Sequence, residues 1–257
     1  MATEFTCASI TVAGRTFFFD GNGKITLAHG TCAQPKPNAF SLTQVPDCPG
    51  STPTCRAACY VNNLEKAVPE IHALYRQNSE NIRAILSGPY CADVVTTFAN
   101  WITENCPHGF RWHVSGDVFS MEYARFIRDV CQRAPDIFFW IYTRSFEYLP
   151  YLVQVPNLVI NLSADRDNYA LAKSVQALYV RPLRICYLTA KGEVPTDLPM
   201  GSVIFPDYAL RGRDAEEPTE TAWWKGLTQG QRRSVCPADY FGQDENTRCG
   251  PCSKCLR

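Results

Sequence analysis

Phe110-Arg111-Trp112-His113-Val114-Ser115-Gly116-Asp117 is the stretch on which the fold turns: a short apolar run of strand length that stops in a polar turn. A helical stretch, Met121 to Arg133, follows, and then the strand-like run Ile137 to Tyr142, which ends in Thr143-Arg144-Ser145. Asn157 to Leu162, Arg184 to Leu188 and Ser202 to Phe205 continue the series, with helix-length segments such as Tyr169 to Leu178 between the earlier ones. Strands that alternate with helices predict parallel βαβ units. Upstream, Phe40 to Val45 reads as a first core strand, Asn63 to Leu86 as one or two helices with a kink or break at Pro69, and Ala92 to Trp101 as another helix. About six strands result, fewer than the eight of a closed barrel. The expected fold is therefore α/β, an open or partial (β/α)6 TIM-like barrel.

Ile10-Thr11-Val12, Thr16 to Phe19 and the turn Asp20-Gly21-Asn22-Gly23 before Lys24 to Leu27 predict an amino-terminal β-hairpin. The organisation expected is a hairpin extension over 1–39, the barrel core over 40–206 and a small cysteine-rich module over 207–257. With 257 residues, 46% hydrophobic and 19% charged, the chain has apolar surface enough to offset the entropy of folding, which excludes a disordered chain. Lys plus Arg and Asp plus Glu number 25 each, so no global field draws the chain to nucleic acid or an anionic membrane. The amino terminus has no apolar run of secretory length, and no window reaches the ~18–20 apolar residues that span a bilayer. The expectation is a soluble, cytoplasmic protein with reduced thiols and no membrane partner.

In parallel α/β folds the site lies at the carboxyl ends of the strands, where loops vary over a fixed sheet. Ser115-Gly116-Asp117, Thr143-Arg144-Ser145 and Asn161 to Arg166 each follow or end a strand, and all are expected on one rim. The 13 cysteines supply the other signal. Cys48-x6-Cys55-x3-Cys59 lies in a loop with Pro46, Pro49, Gly50 and Pro53, where there is little core for small buried thiols to fill. Cys236-x12-Cys249-x2-Cys252-x2-Cys255 has the spacing at which turns bring thiolates onto one metal, and spacing alone leaves zinc and iron–sulfur balanced. Cys7, Cys32, Cys91, Cys106, Cys131 and Cys186 are scattered and read mostly as core thiols.

These features resemble the radical S-adenosylmethionine (SAM) enzyme superfamily, and most nearly little-characterised phage and bacterial radical-SAM-like proteins. The likeness covers roughly residues 40–257: a triplet ending in Cys59-Tyr60, Ser-Gly-Asp after the next core strand, and a terminal C-x2-C-x2-C. The triplet spacing of six and three departs from the common C-x3-C-x2-C. The resemblance implies that Cys48, Cys55 and Cys59 hold a [4Fe–4S] cluster with one iron open to the amino and carboxylate groups of SAM. One-electron cleavage would give methionine and a 5′-deoxyadenosyl radical that abstracts hydrogen from substrate. It also implies SAM contacts from Tyr60, Ser115, Gly116, Asp117, Arg144, Asn161 and Ser163, and a second [4Fe–4S] cluster on Cys236, Cys249, Cys252 and Cys255. A flavodoxin- or ferredoxin-type reductant and a monomer are expected with it. Phage kinship would place the protein in the host cytoplasm and favours a nucleotide or hypermodified DNA base as substrate, with a peptide as the alternative.

Two other classes stay open at this point: a non-enzymatic zinc-binding module, and an iron–sulfur carrier or sensor that binds no SAM. His29, His72, His108 and His113 lack HExxH spacing, and no phosphate-binding loop, nucleophile elbow or dinucleotide fingerprint occurs. Trp223-Trp224-Lys225 and Gln231-Arg232-Arg233 offer a faint nucleic-acid signal, outweighed by packing of the aromatics beside Glu216, Glu217 and Glu220.

Overall fold

Ala13 and Gly14 both adopt left-handed backbone angles, φ 52° and 67°, which is what a two-residue turn matched to strand twist demands. They close a hairpin between β1 (Ala8–Val12) and β2 (Arg15–Phe19), paired antiparallel from Ala8↔Phe19 to Val12↔Arg15. The turn expected at Asp20–Gly23, with Lys24 to Leu27 after it, falls mostly in residues 22–36, outside the described residues; the hairpin seen precedes it. The computed structural model describes residues 7–21, 37–88, 92–210, 212, 215–242, 252, 254 and 255.

β3 (Ala39–Phe40) follows, then α1 (Pro53–Ala57), α2 (Val61–Ala67), α3 (Pro69–Leu86) and α4 (Ala92–Asn105). Pro69 takes the first turn of α3, where its missing N–H costs nothing, so the expected break falls at that residue. β4 (Phe110–Trp112), α5 (Met121–Arg133), β5 (Phe139–Thr143), α6 (Leu149–Leu152), β6 (Leu158–Ala164), α7 (Tyr169–Ala177), β7 (Arg184–Leu188) and β8 (Val203–Phe205) complete the alternation. Among the described residues α8 (Ala222–Gly226), α9 (Gln229–Ser234) and α10 (Pro237–Tyr240) come next. β3 is shorter than the expected Phe40–Val45 because the chain turns into the cysteine loop, although Leu42 N still donates to Ser115 O at 2.9 Å.

β3 to β8 form one six-stranded sheet in consecutive order, every pair parallel. Residues alternate across it. Phe40, Phe110, Trp112, Phe139, Ile141, Ile160, Leu162 and Ile185 join one core with Phe98 of α4, Phe126 of α5, Leu152 of α6 and Ala172 of α7. The helices that follow the strands therefore share one face, unlike a doubly wound sheet, which carries them on both. Phe17 and Phe19 of the hairpin enter the same core, Phe19 stacking on Trp101 with centroids 3.8 Å apart. Asp20 bridges to Ala39, so the hairpin also covers the β3 edge, which would otherwise expose unpaired backbone groups. Among the described residues no helix is long and apolar enough to cross a membrane.

Candidate functional site

The loop after β3 is fastened to the carboxyl ends of three strands. Asp47, fully buried, accepts from Thr43 Oγ1 at 2.5 Å and from Arg83 Nε at 3.0 Å, and its carbonyl accepts from Asp117 N at 2.7 Å. A Cβ on Gly50 would lie 2.4 Å from the Arg144 carbonyl oxygen, so only glycine lets the loop lie against the end of β5. Thr52 caps α1 by accepting from Cys55 N at 2.9 Å, and the same hydroxyl donates to Asp165 Oδ2 at 2.6 Å beyond β6. Thr54 N donates to Asp167 Oδ2 at 2.9 Å, and the Tyr60 hydroxyl donates to the Val114 carbonyl beyond β4. Cys48, Cys55 and Cys59 are free, partly exposed thiols carried by this loop. Burial, then Asp117, Cys55, Cys59 and Asp47, push the Cys48 thiol well above its ordinary value. Burial also raises Cys59, with Cys55 and Glu65 adding to it against backbone hydrogen bonds at Val61 and Asn62. The three sulfurs thus lie within one another's electrostatic reach. Among the described residues no three His, Cys, Asp or Glu side chains surround one ion-sized point.

The other rim residues are held by the chain itself. Gly116, at φ 85°, would bring a Cβ to 2.6 Å from Leu42 Cβ, so its close approach is to the first strand. The Asp117 carboxylate accepts from Val118 N and Arg144 N, both at 2.7 Å. Burial raises its proton affinity against these bonds. Asp117 therefore ties the end of β4 to the end of β5. Arg144 pairs with the fully buried Asp165 at 2.7 Å, the structural salt bridge rather than an unmatched cation. Ser115 differs: its hydroxyl is buried with no hydrogen-bond partner among the described residues.

Asn161 and Ser163 point to the face of β6 opposite the helices, in register with Tyr142 and Arg184 and with Cys186 respectively. The Asn161 amide donates to Ile141 O at 3.3 Å and to Cys255 O at 3.2 Å. That contact seats Cys255 on the sheet. Cys236 N donates to Ile204 O at 2.8 Å, and Cys186, Cys236 and Cys255 are buried together with Val203 and Ala238. Cys252 is partly exposed, and Cys249 lies outside the described residues. Of the thiols expected in the core, Cys106 and Cys131 are buried, Cys131 accepting from Trp112 Nε1 at 3.3 Å. Cys7 is exposed, Cys186 joins the terminal group, and Cys32 and Cys91 lie outside the described residues. Trp223 and Trp224 pack on Tyr240, and Arg232 donates to the Trp224 and Lys225 carbonyls, so these aromatics serve packing.

Sequence reasoning passed over Asp47, Thr52, Asp165 and Cys186. Asp165 stood in the quoted strand end, and its signal was position: a carboxylate directly after a buried strand meets whatever loop crosses the rim. Cys186 could be found by parity, two residues beyond Arg184 on the face that carries Asn161.

The chain is similar to the Gene 88 protein of Mycobacterium phage L5, 28% identical over 188 residues, which cover 68% of this chain and 74% of that protein. It is also similar to the Gene 88 protein of Mycobacterium phage D29, 29% identical over 192 residues with the same coverage. No solved structure matches. The family model described as Gene product 88 matches residues 16–257, nearly the whole length over which the sheet, the cysteine loop and the terminal module are built, and the chain belongs to that family.

Proposed function

We propose that this chain is a radical-SAM-type enzyme whose Cys48, Cys55 and Cys59 hold a [4Fe–4S] cluster at the rim of a partial (β/α)6 barrel. One observation carries the reading: three thiols on a single loop are locked over the carboxyl ends of consecutive parallel strands by Gly50, Thr52 and Tyr60. Consecutive strand order with one-sided helices favours barrel-type winding over a doubly wound sheet. When bound, such a cluster with SAM supplies one-electron cleavage to methionine and a 5′-deoxyadenosyl radical that takes hydrogen from substrate.

The chain's own residues position and enclose. Asp47 and Asp117 fix the two ends of the loop base, Asp165 fixes α1 through Thr52, and Arg144 neutralises Asp165. Ser115 offers an unpartnered hydroxyl for a polar group of SAM, and Ser163 lies on the sheet face that the helices leave open. Asp117, Arg144 and Asn161 act as supports for that surface. Cys236, Cys249, Cys252 and Cys255 are assigned to a second metal centre. The phage relatives favour a nucleotide or modified DNA base as substrate, with a peptide as the alternative.

Anaerobically purified protein tests this: iron, sulfide and zinc per chain, then incubation with SAM and dithionite and assay of 5′-deoxyadenosine. Iron with 5′-deoxyadenosine formation, both reduced by the Cys48→Ala/Cys55→Ala/Cys59→Ala chain, is expected. Zinc without iron would overturn the reading in favour of a binding module, and iron without 5′-deoxyadenosine would leave a carrier or sensor.

A further inference from the structure

We propose that Cys186, in the middle of β7, is a ligand of the C-terminal metal centre, so that the sheet itself supplies one of the centre's sulfurs. The inference rests on the reading of the terminal cysteines as a metal centre. Cys186 is in register with Ser163 on one side and Val203 on the other, which places its sulfur on the face that the helices do not cover. There it is buried with Cys236 and Cys255, each from a different segment: β7, the start of α10 and the chain's last turn.

Each segment is held independently. Cys236 N donates to Ile204 O at 2.8 Å, extending the hydrogen bonding of β8. Lys254 Nζ donates to Arg233 O at 2.7 Å and Val235 O at 3.0 Å, pinning the last turn beside Cys236. Asn161 faces both remaining cysteines, donating to Cys255 O at 3.2 Å and accepting from Cys186 Sγ at 3.6 Å.

A side chain on a central strand is located far more rigidly than one on a terminal turn, and a ligand set needs at least one such anchor to hold its geometry. Sulfurs of Cys186, Cys236 and Cys255 leave one position for a further thiol, and the partly exposed Cys252 is the nearest in sequence to Cys255 among the described cysteines. Three buried sulfurs from separate segments have no packing reason to gather: a core position next to Val203 and Ala238 would be served as well by valine or alanine. Metal binding gives such a gathering its reason, and the thiols lose their protons to solvent as they ligate.

The test uses the full chain carrying Cys48→Ala/Cys55→Ala/Cys59→Ala, so that iron reports the C-terminal centre alone. This chain is expected to hold about four irons as isolated. Adding Cys186→Ala should remove more than half of that iron, and adding Cys186→Ser should shift the electron paramagnetic resonance of the reduced cluster, which a packing role would not do. Cys131→Ala is the control, a buried thiol expected to leave both readings unchanged. Unchanged iron and an unchanged spectrum in both Cys186 variants, with iron lost in Cys236→Ala, would overturn the proposal and leave the centre standing. A triple-alanine chain with no metal would overturn the reading of the centre itself. Should the metal be zinc, cobalt(II) substitution reads the same variants by loss or shift of the thiolate absorption band. If Cys186→Ala fails to fold, Cys186→Ser carries the decision.

Discussion

Phe110 and Trp112 on one side of β4 meet each other and Phe139 ring to ring, with Phe110 and Trp112 centroids 5.3 Å apart and both fully buried under α4 and α5. Arg111, between them in sequence, lies on the other side and covers the Tyr142 ring at 4.7 Å. The same parity runs through β6 and β7, where Ile160, Leu162 and Ile185 face the helices while Asn161, Ser163 and Cys186 face away. On β6 and β7 an apolar set and a polar, sulfur-bearing set thus lie one residue apart, while Trp140 of β5 adds a small apolar cluster with Ala39, Val114 and Val159 on the side away from the helices. Because the helix-side layer supplies most of the apolar burial, the other is free to carry polar and sulfur groups, and that is where a reactive site can be built.

The sharpest way to break this division is to cut each layer in turn. Trp112→Ala removes a fully buried side chain from the helix-side core and should cost about 3–5 kcal/mol in denaturant unfolding, with broad loss of near-ultraviolet dichroism. At the rim, Asp165→Ala strands Arg144 without its partner at a buried site and releases Thr52, for about 3 kcal/mol. It should lower the iron held by Cys48, Cys55 and Cys59 more than Trp112→Ala does at matched fractional folding. Equal iron loss in the two variants would show that the cysteine loop has no support separate from the core.

His113 stands where the layers meet, at φ 63° as β4 ends, and provides the pH test. Its Nε2 meets Tyr123 Oη at 2.8 Å, and burial, then the Arg111 cation, push it down to about 3. A histidine neutral in the fold and ordinary when unfolded contributes stability that is complete above pH 6.5 and is lost as pH falls toward 3. Against His113→Gln, the parent chain should lose roughly 2 kcal/mol between pH 6.5 and 5. Asp20 and Asp117, raised by burial, work in the opposite sense, adding stability below 3.8 that is lost as pH climbs through their folded values. Both chains carry them, so they cancel. Parallel stability curves for the two chains would place His113 in contact with solvent.

Much of this was legible in the sequence. Met121–Arg133 and Arg184–Leu188 were readable to the residue because periodicity and a capping serine, or an unbroken apolar run, set their limits. The turn at Ala13-Gly14 was not read because Asp20-Gly21-Asn22-Gly23 has stronger turn composition, and composition does not show that Asp20 pairs at the β3 edge. At the site, strand ends gave the rim, but not which polar groups the chain consumes. Asp117 and Arg144 look like ligand contacts in sequence, and the structure adds that they join strand ends, a role invisible in the sequence because their partners are backbone groups or distant residues that no local pattern marks.

Asn161→Ala makes the smallest cut and separates the terminal turn from the sheet. Its four contacts are long, 3.2 and 3.3 Å from the amide and 3.4 and 3.6 Å to the carbonyl oxygen, so their net worth is about 1 kcal/mol. Global unfolding should move little, because Ile160 and Leu162 on the same strand keep the core. The loss falls on Cys255, whose carbonyl is left without the amide. In metal-free protein, Cys255 is buried and reacts only when the turn opens, so a 1 kcal/mol weakening should raise its alkylation rate about fivefold. Cys131, under the helices, should keep its rate. Equal acceleration of both thiols would mean that the variant loosens the whole sheet and that the polar layer shares the work of the apolar one.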